Sequence, residues 1–229
     1  MNLGFLVDGS AAVELSGKGN FNKSLVFVSK LIGSFDVSKN ATRPGLVVFS
    51  EDPHLVFNFS LYDTLSDVMA STQMASFPGL GRKTGKALHF VRRNLFGESA
   101  IKNKSIKNNY LIFLSNGASY DFVKTPARLL REQNVTIFSI GIGNNNDVDQ
   151  LKEIAGDNRT RLYQTNYREL DGLHKKLKQE ICRCESYNDF RSSLPLTTFH
   201  LRKDKVITLT WMANSSFKTP SKVPILELF

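Results

Sequence analysis

The sequence predicts an α/β fold. It is a doubly wound, mostly parallel central sheet with helices on both faces and one antiparallel edge strand, followed by a short C-terminal β-rich appendage. Three observations predict it. Short apolar runs alternate with helical patterns through residues 1–184, as parallel strands joined by crossover helices require. Two of the runs lie only a turn apart, which marks a hairpin at one edge. Beyond residue 184 the helical period gives way to alternation of apolar and polar residues.

Residues 3–7 form the first buried strand, which stops at Asp8-Gly9-Ser10. A strand ending this way presents a carboxylate and a hydroxyl at its carboxyl end, where open α/β sheets place their ligand sites. Residues 44–49 and 55–59 are the next strands, joined through Asp52-Pro53. Residues 110–114 are nearly all apolar, as a strand covered on both faces should be. Residues 135–140 form another strand and lead into Gly141-Ile142-Gly143. Helical patterns occupy 22–35, 65–75, 84–95, 121–133, 148–155 and 167–183. The last places Leu170, Leu173, Leu177 and Ile181 on one face.

Residues 1–184 are therefore expected to form the domain, and 185–229 a tail. Within the tail, 196–201 and 206–212 read as strands of a hairpin turned at 202–205, and Trp211 reads as a packing residue. A lone hairpin is only marginally stable in water. The tail is thus either the start of a second domain cut short or an appendage.

The 229 residues include 41% hydrophobic residues and 17 Phe, ample for a buried core. The formal net charge of +9 favours acidic partners without choosing among them. The basic clusters at 82–86, 102–107, 174–178 and 202–205 read as solvated faces and loops. No apolar run reaches the length of a membrane span, and no secretory signal precedes the first strand. An extracellular protein beginning this way is expected to be a fragment or a processed form.

Asn-x-Ser/Thr triplets begin at Asn22, Asn40, Asn58, Asn103, Asn134, Asn158 and Asn214, against about three expected by chance. They point to a secreted glycoprotein. Cys182 and Cys184 are too sparse for a disulfide framework and have no second pair to complete a zinc site. His54, His89, His174 and His200 share no metal-ligand spacing. Gly79-Leu80-Gly81 and Gly141-Ile142-Gly143 make no phosphate loop. Ser10 lacks a nucleophile elbow. Enzymatic chemistry is not expected.

Five ordered segments together resemble the von Willebrand factor type A domain family: Asp8-Gly9-Ser10-Ala11-Ala12, residues 42–50, the Gly-rich loop 77–88, Leu114-Ser115-Asn116-Gly117, and 138–143. The resemblance implies a metal-ion-dependent adhesion site that holds a hard cation, usually magnesium, and captures a partner carboxylate. Hard ions need several oxygens on rigid positions. Carried over by position, Asp8 and Ser10 keep the ligand chemistry. Ala12 stands for a serine, Arg82 for a threonine and Asn116 for an aspartate. A guanidinium about 5 Å from a divalent ion repels it by several kcal/mol at an effective dielectric near 20, so no resident metal is expected.

Two arrangements of Arg82 are open. Its guanidinium pairs with Asp8 and with Ser10 or Asn116, replacing the ion, or it projects outward while Asp8 caps local amides. The resemblance also implies that a cysteine after the last helix pairs with one before the first strand. Cys182 and Cys184 are then expected to pair outside this chain, or else to remain thiols. The function expected is a non-enzymatic adhesion module that binds an extracellular protein or an acidic glycosaminoglycan largely without metal, binds no nucleic acid and has no membrane span in this chain. Magnesium-dependent capture and an intracellular scaffold are the alternatives.

Overall fold

The structure, a computed structural model, describes residues 1–97, 108–156, 158–193, 199–201 and 205–207. The strands are β1 (Asn2–Asp8), β2 (Arg43–Phe49), β3 (Pro53–Phe57), β4 (Asn109–Ser115), β5 (Val135–Ile142) and β6 (Leu162–Thr165). They form one sheet in the order β3-β2-β1-β4-β5-β6. Every neighbouring pair is parallel except β2 with β3. The helices are α1 (Ala11–Leu15), α2 (Asn20–Ile32), α3 (Leu65–Gln73), α4 (Thr84–Phe90), α5 (Lys124–Glu132), α6 (Val148–Ala155) and α7 (Leu170–Ser193). The doubly wound sheet and its antiparallel edge are as the sequence predicts. The strand order reverses between β1 and β4, so the crevice at their carboxyl ends is where such sheets bind ligands.

Alternation along β1 divides the core. Leu3, Phe5 and Val7 face one layer with Phe27 and Leu31 of α2, Val68 of α3, and Leu170, Leu177 and Ile181 of α7. Leu6 faces the other with Ala87 and Leu88 of α4, Leu130 of α5, and Leu151 and Ile154 of α6. Leu173 packs at the margin of the first layer, so the apolar stripe expected on the last helix is realised.

Contacts divide the chain into two compact units, Met1–Glu185 and Ser186–Phe229. In the second unit, β7 (Phe199–Leu201) pairs antiparallel with β8 (Lys205–Ile207). These strands fall within the hairpin expected over 196–212. Trp211, Asn103, Asn214 and the basic run 102–107 lie outside the described residues.

The differences from expectation have local causes. α5 begins at Lys124 rather than near 121 because Asp121 is turned back to cap another helix. α7 runs on to Ser193, so Cys182 and Cys184 lie inside the last helix and not after it. No proline interrupts it before Pro195. α1 and β6 have no apolar run long enough to announce them. β6 is a short edge strand whose one buried residue is Tyr163.

Gly4 and Gly45 are register partners on β1 and β2. A Cβ on Gly45 would fall 2.6 Å from Leu95 Cδ1 and 2.9 Å from Phe59 Cε1, and one on Gly4 would fall 2.8 Å from Phe96 Cζ. The two glycines make a hollow filled by Leu95, the last residue of the π-helical turn Val91–Leu95, together with Phe96 and Phe59. Filling it with an extra methyl overpacks the core. Gly45→Ala is expected to cost about 1–3 kcal/mol, read from the midpoint of urea unfolding. An unchanged midpoint would show that the hollow deforms freely.

Candidate functional site

Three segments converge at the switch point. β1 ends on Asp8, β4 ends on Ser115 beside Asn116, and the loop between α3 and α4 brings in Arg82. Main-chain bonds pin that loop to the strand ends. Gly79 N–H donates to Gly9 O at 2.9 Å, Ala11 N–H to Leu80 O at 2.9 Å, and Lys83 N–H to Ser50 O at 2.8 Å. Tyr120 N–H in turn donates to Arg82 O at 2.9 Å.

Arg82 lies inward. Its side chain is 7% exposed and that of Asp8 only 3%. Nε donates to Asp8 Oδ2 at 2.7 Å, Nη1 to Ala118 O at 3.0 Å, and Nη2 to Asn116 Oδ1. Asp8 Oδ2 also accepts from Ser115 Oγ at 2.7 Å and more weakly from Asn116 N–H at 3.4 Å. Its Oδ1 takes the Ser10 amide at 2.9 Å, an Asx turn. Asn116 Nδ2 donates to Ala12 O at 2.9 Å and to Ser16 Oγ at 3.2 Å. A side chain at Gly117 would run into Arg82 Nη1.

Asp8, Arg82, Asn116 and the backbone of Ala12 therefore meet in one network. Ser10 enters through its amide alone. Its hydroxyl is buried and has no partner among the described residues. Arg82 also departs from the expectation of a solvated basic loop. Its neighbours Lys83 and Lys86 do reach solvent, paired with Glu51 and Asp52, and such exposed pairs contribute little.

Several residues of the site carried no recognisable sequence signal, because their partners are distant in the chain. Ser119 and Asp121 cap α4 from the β4–α5 loop. Thr84 N–H donates to Ser119 Oγ at 2.8 Å, Gly85 N–H to Asp121 Oδ1 at 2.7 Å, and Lys86 N–H to Asp121 Oδ2 at 2.8 Å. Glu14 caps α2 likewise, accepting from Gly19 N–H at 2.7 Å and Phe21 N–H at 2.9 Å. These two bonds hold its carboxyl below the usual value. Ser115 was legible only as the residue before Asn116.

Beside the network opens a cleft of about 1050 Å³, lined in part by Lys23, Arg82, Asn116, Tyr120, Tyr167 and Arg168, with no Asp or Glu among the described residues of its wall. Burial pushes the Tyr167 phenol well above its ordinary value, and the Asp8 carboxylate adds to the shift. Leu15 and Phe122 stand 86% and 93% exposed on connections at this same carboxyl edge.

The remaining candidates lie apart from the site. His54 and His89 are exposed and His174 is half-buried. Among the described residues no group of three or more His, Cys, Asp or Glu is placed to hold a metal. Cys182 is exposed and Cys184 half-buried, and burial raises the Cys184 thiol pKa. Asn22, Asn40, Asn58, Asn134 and Asn158 are all exposed. No helix among the described residues is long and apolar enough to cross a membrane.

The sequence profile of the von Willebrand factor type A domain matches residues 2–176. The collagen alpha-5(VI) chain of Homo sapiens is 33% identical over 178 residues, which are 78% of this chain and 7% of that protein. Cochlin of Bos taurus is 35% identical over 155 residues, 68% of this chain and 27% of that protein. The chain thus spans about a quarter or less of the length of these curated relatives. Among solved structures, proximal thread matrix protein 1 from the mussel byssus superposes with a TM-score of 0.70 at 26% identity, covering 76% of this chain and 45% of that one. A further structure of that protein has a zinc-occupied MIDAS motif and a TM-score of 0.71 at 26% identity, over 76% of this chain and 46% of that one.

Removing one member of a buried pair strands the other. Asp8→Ala is expected to cost about 3–5 kcal/mol. Arg82→Met should cost less, because Ser115, Ser10 and Asn116 still donate to the carboxylate. Chemical unfolding of both variants and of the double variant measures this. An Asp8→Ala protein as stable as the parent would sink the ion-pair account.

Proposed function

This chain belongs to the von Willebrand factor type A domain family, and we propose that it is a non-enzymatic protein-binding module of an extracellular matrix protein. On this reading it docks through the carboxyl edge of its sheet, and Arg82 closes that edge where the mussel byssal protein has a zinc-occupied motif. The observation that carries the reading is the Arg82 guanidinium, which holds Asp8, Asn116 and Ala118 O together.

The donor set does not fit a divalent cation. A hard ion needs several oxygens from rigid positions. Here one oxygen of Asp8 already takes the guanidinium and a hydroxyl, and the other takes an amide. Ala12 has no hydroxyl to offer, and the Asn116 oxygen faces Arg82. The zinc in the mussel byssal relative belongs to that protein's own motif.

Docking then relies on a preformed face rather than on an open coordination position. The exposed Leu15 and Phe122 supply apolar area, while Lys23 and Arg168 line a cleft wall with no carboxylate among its described residues. With a net charge of +9, the chain favours acidic partners such as acidic matrix proteins or glycosaminoglycan, and the field speeds encounter. The similarity to collagen VI and cochlin supports a matrix location.

Calorimetric titration of Mg²⁺ and Mn²⁺, with thermal unfolding against EDTA, tests the closed site. The parent is expected to show neither heat nor stabilisation, while a variant carrying Ala12→Ser, Arg82→Thr and Asn116→Asp binds both ions. Binding by the parent would overturn the reading in favour of ion-mediated capture. For the acidic partner, heparin serves as the probe. A Lys23→Glu, Arg168→Glu double variant should elute from a heparin column at clearly lower salt, and unchanged elution would place the anion-binding surface elsewhere.

A further inference from the structure

A parallel sheet has two unlike edges, and asparagine is distributed between them in two different ways. The connections that enter β2, β5 and β6 lie at the N-terminal edge, and β3, being antiparallel, ends there as well. Among the described residues these connections carry Asn40 before β2, Asn58 after β3, Asn134 before β5 and Asn158 before β6. Each is exposed and each heads an Asn-x-Ser/Thr triplet. The connections at the carboxyl edge also hold asparagines, namely Asn116, Asn144, Asn145, Asn146 and Asn166, and none of these heads such a triplet. Four of the five described triplets thus lie at the N-terminal edge, and the fifth, at Asn22, starts α2 at the carboxyl edge.

Local geometry suits a sugar at the N-terminal edge. Asn158 Oδ1 accepts from Thr160 N–H at 3.0 Å and from Thr160 Oγ1 at 2.9 Å. Asn58 Oδ1 accepts from Ser60 N–H at 2.9 Å. Both turns use the acceptor oxygen and leave the amide nitrogen, the atom that carries an N-linked sugar. Asn134 forms the turn between α5 and β5 at φ 60°, a left-handed conformation that asparagine tolerates. Asn40 lies on the exposed loop between α2 and β2.

We propose that Asn40, Asn58, Asn134 and Asn158 carry N-linked glycans, so that sugar covers the N-terminal edge of the sheet and spares the carboxyl edge with its Arg82 network and cleft. The donor is a polyisoprenoid pyrophosphate-linked oligosaccharide. Nδ2 forms a bond to the anomeric carbon, the bond from that carbon to the pyrophosphate oxygen breaks, and Nδ2 gives up one proton as the lipid pyrophosphate leaves. A bulky hydrophilic glycan on each loop stays in solvent. The remaining described triplet, at Asn22, lies in the first turn of α2 between Asn20 and Lys23 of the cleft wall. The inference does not depend on whether Arg82 excludes a metal, and its readout is separate from the metal titration.

The test is site-resolved. The full chain is expressed behind a secretion signal in cultured eukaryotic cells and treated with peptide N-glycosidase in ¹⁸O water. Peptide mass spectrometry then finds each occupied asparagine as labelled aspartate. Label at Asn40, Asn58, Asn134 and Asn158 is the expected result. Thr136→Ala and Thr160→Ala should abolish it only at Asn134 and Asn158 respectively. Label at Asn22, or at none of Asn40, Asn58, Asn134 and Asn158, overturns the proposal.

Discussion

The architecture of the carboxyl edge depends on one buried ion pair, Arg82 with Asp8. Burying a carboxylate is unfavourable unless it is paired and hydrogen-bonded. Asp8 meets that condition with the guanidinium, the Ser115 hydroxyl and two backbone amides. Arg82 meets it as well, since each of its three nitrogens has an oxygen partner. Because the partners come from β1, from the end of β4 and from the loop before α4, satisfying one pair of charges fixes three chain segments at once. The planar fork of arginine suits this better than lysine would, since its donors point in several fixed directions.

The same edge is held by caps that act across the fold. Asp121 and Ser119 hold the start of α4, and Glu14 holds the start of α2. Each cap joins a helix N-terminus, which leaves backbone donors unsatisfied, to a side chain from another segment. The result is a face whose loops are crosslinked by hydrogen bonds between distant segments, a rigidity that suits the docking surface proposed above. A bound ion would add charge and an exchangeable position, whereas a tethered guanidinium supplies a fixed shape. Recognition on this reading falls to the exposed rim and the cleft wall.

Much of the fold was legible in the sequence because burial is periodic. The apolar runs in β1, β2, β4 and β5 are covered on both faces, and the stripe Leu170, Leu173, Leu177 and Ile181 belongs to a helix with one buried face. Elements without such periods were not legible. α1 has only five residues, and β6 buries Tyr163 alone. The end of α7 lay past both cysteines, beyond the apolar stripe that ends at Ile181 and marks the helix in the sequence. The hollow at Gly4 and Gly45 was invisible because it takes register pairing to place the two glycines side by side.

By itself the sequence determined the parallel sheet with its antiparallel edge, which follows from residue type and spacing, and the family resemblance, against which Ala12 and Asn116 stand where a serine and an aspartate are expected. It left open whether Arg82 faced solvent or Asp8, since either suits a basic residue on a loop. Tertiary structure decided that question by pinning the loop to Gly9, Ala11 and Ser50, which carries the guanidinium into a site with three acceptors. It also gathered Asn40, Asn58, Asn134 and Asn158 at one edge, because strand direction and not sequence distance determines which loops share a face.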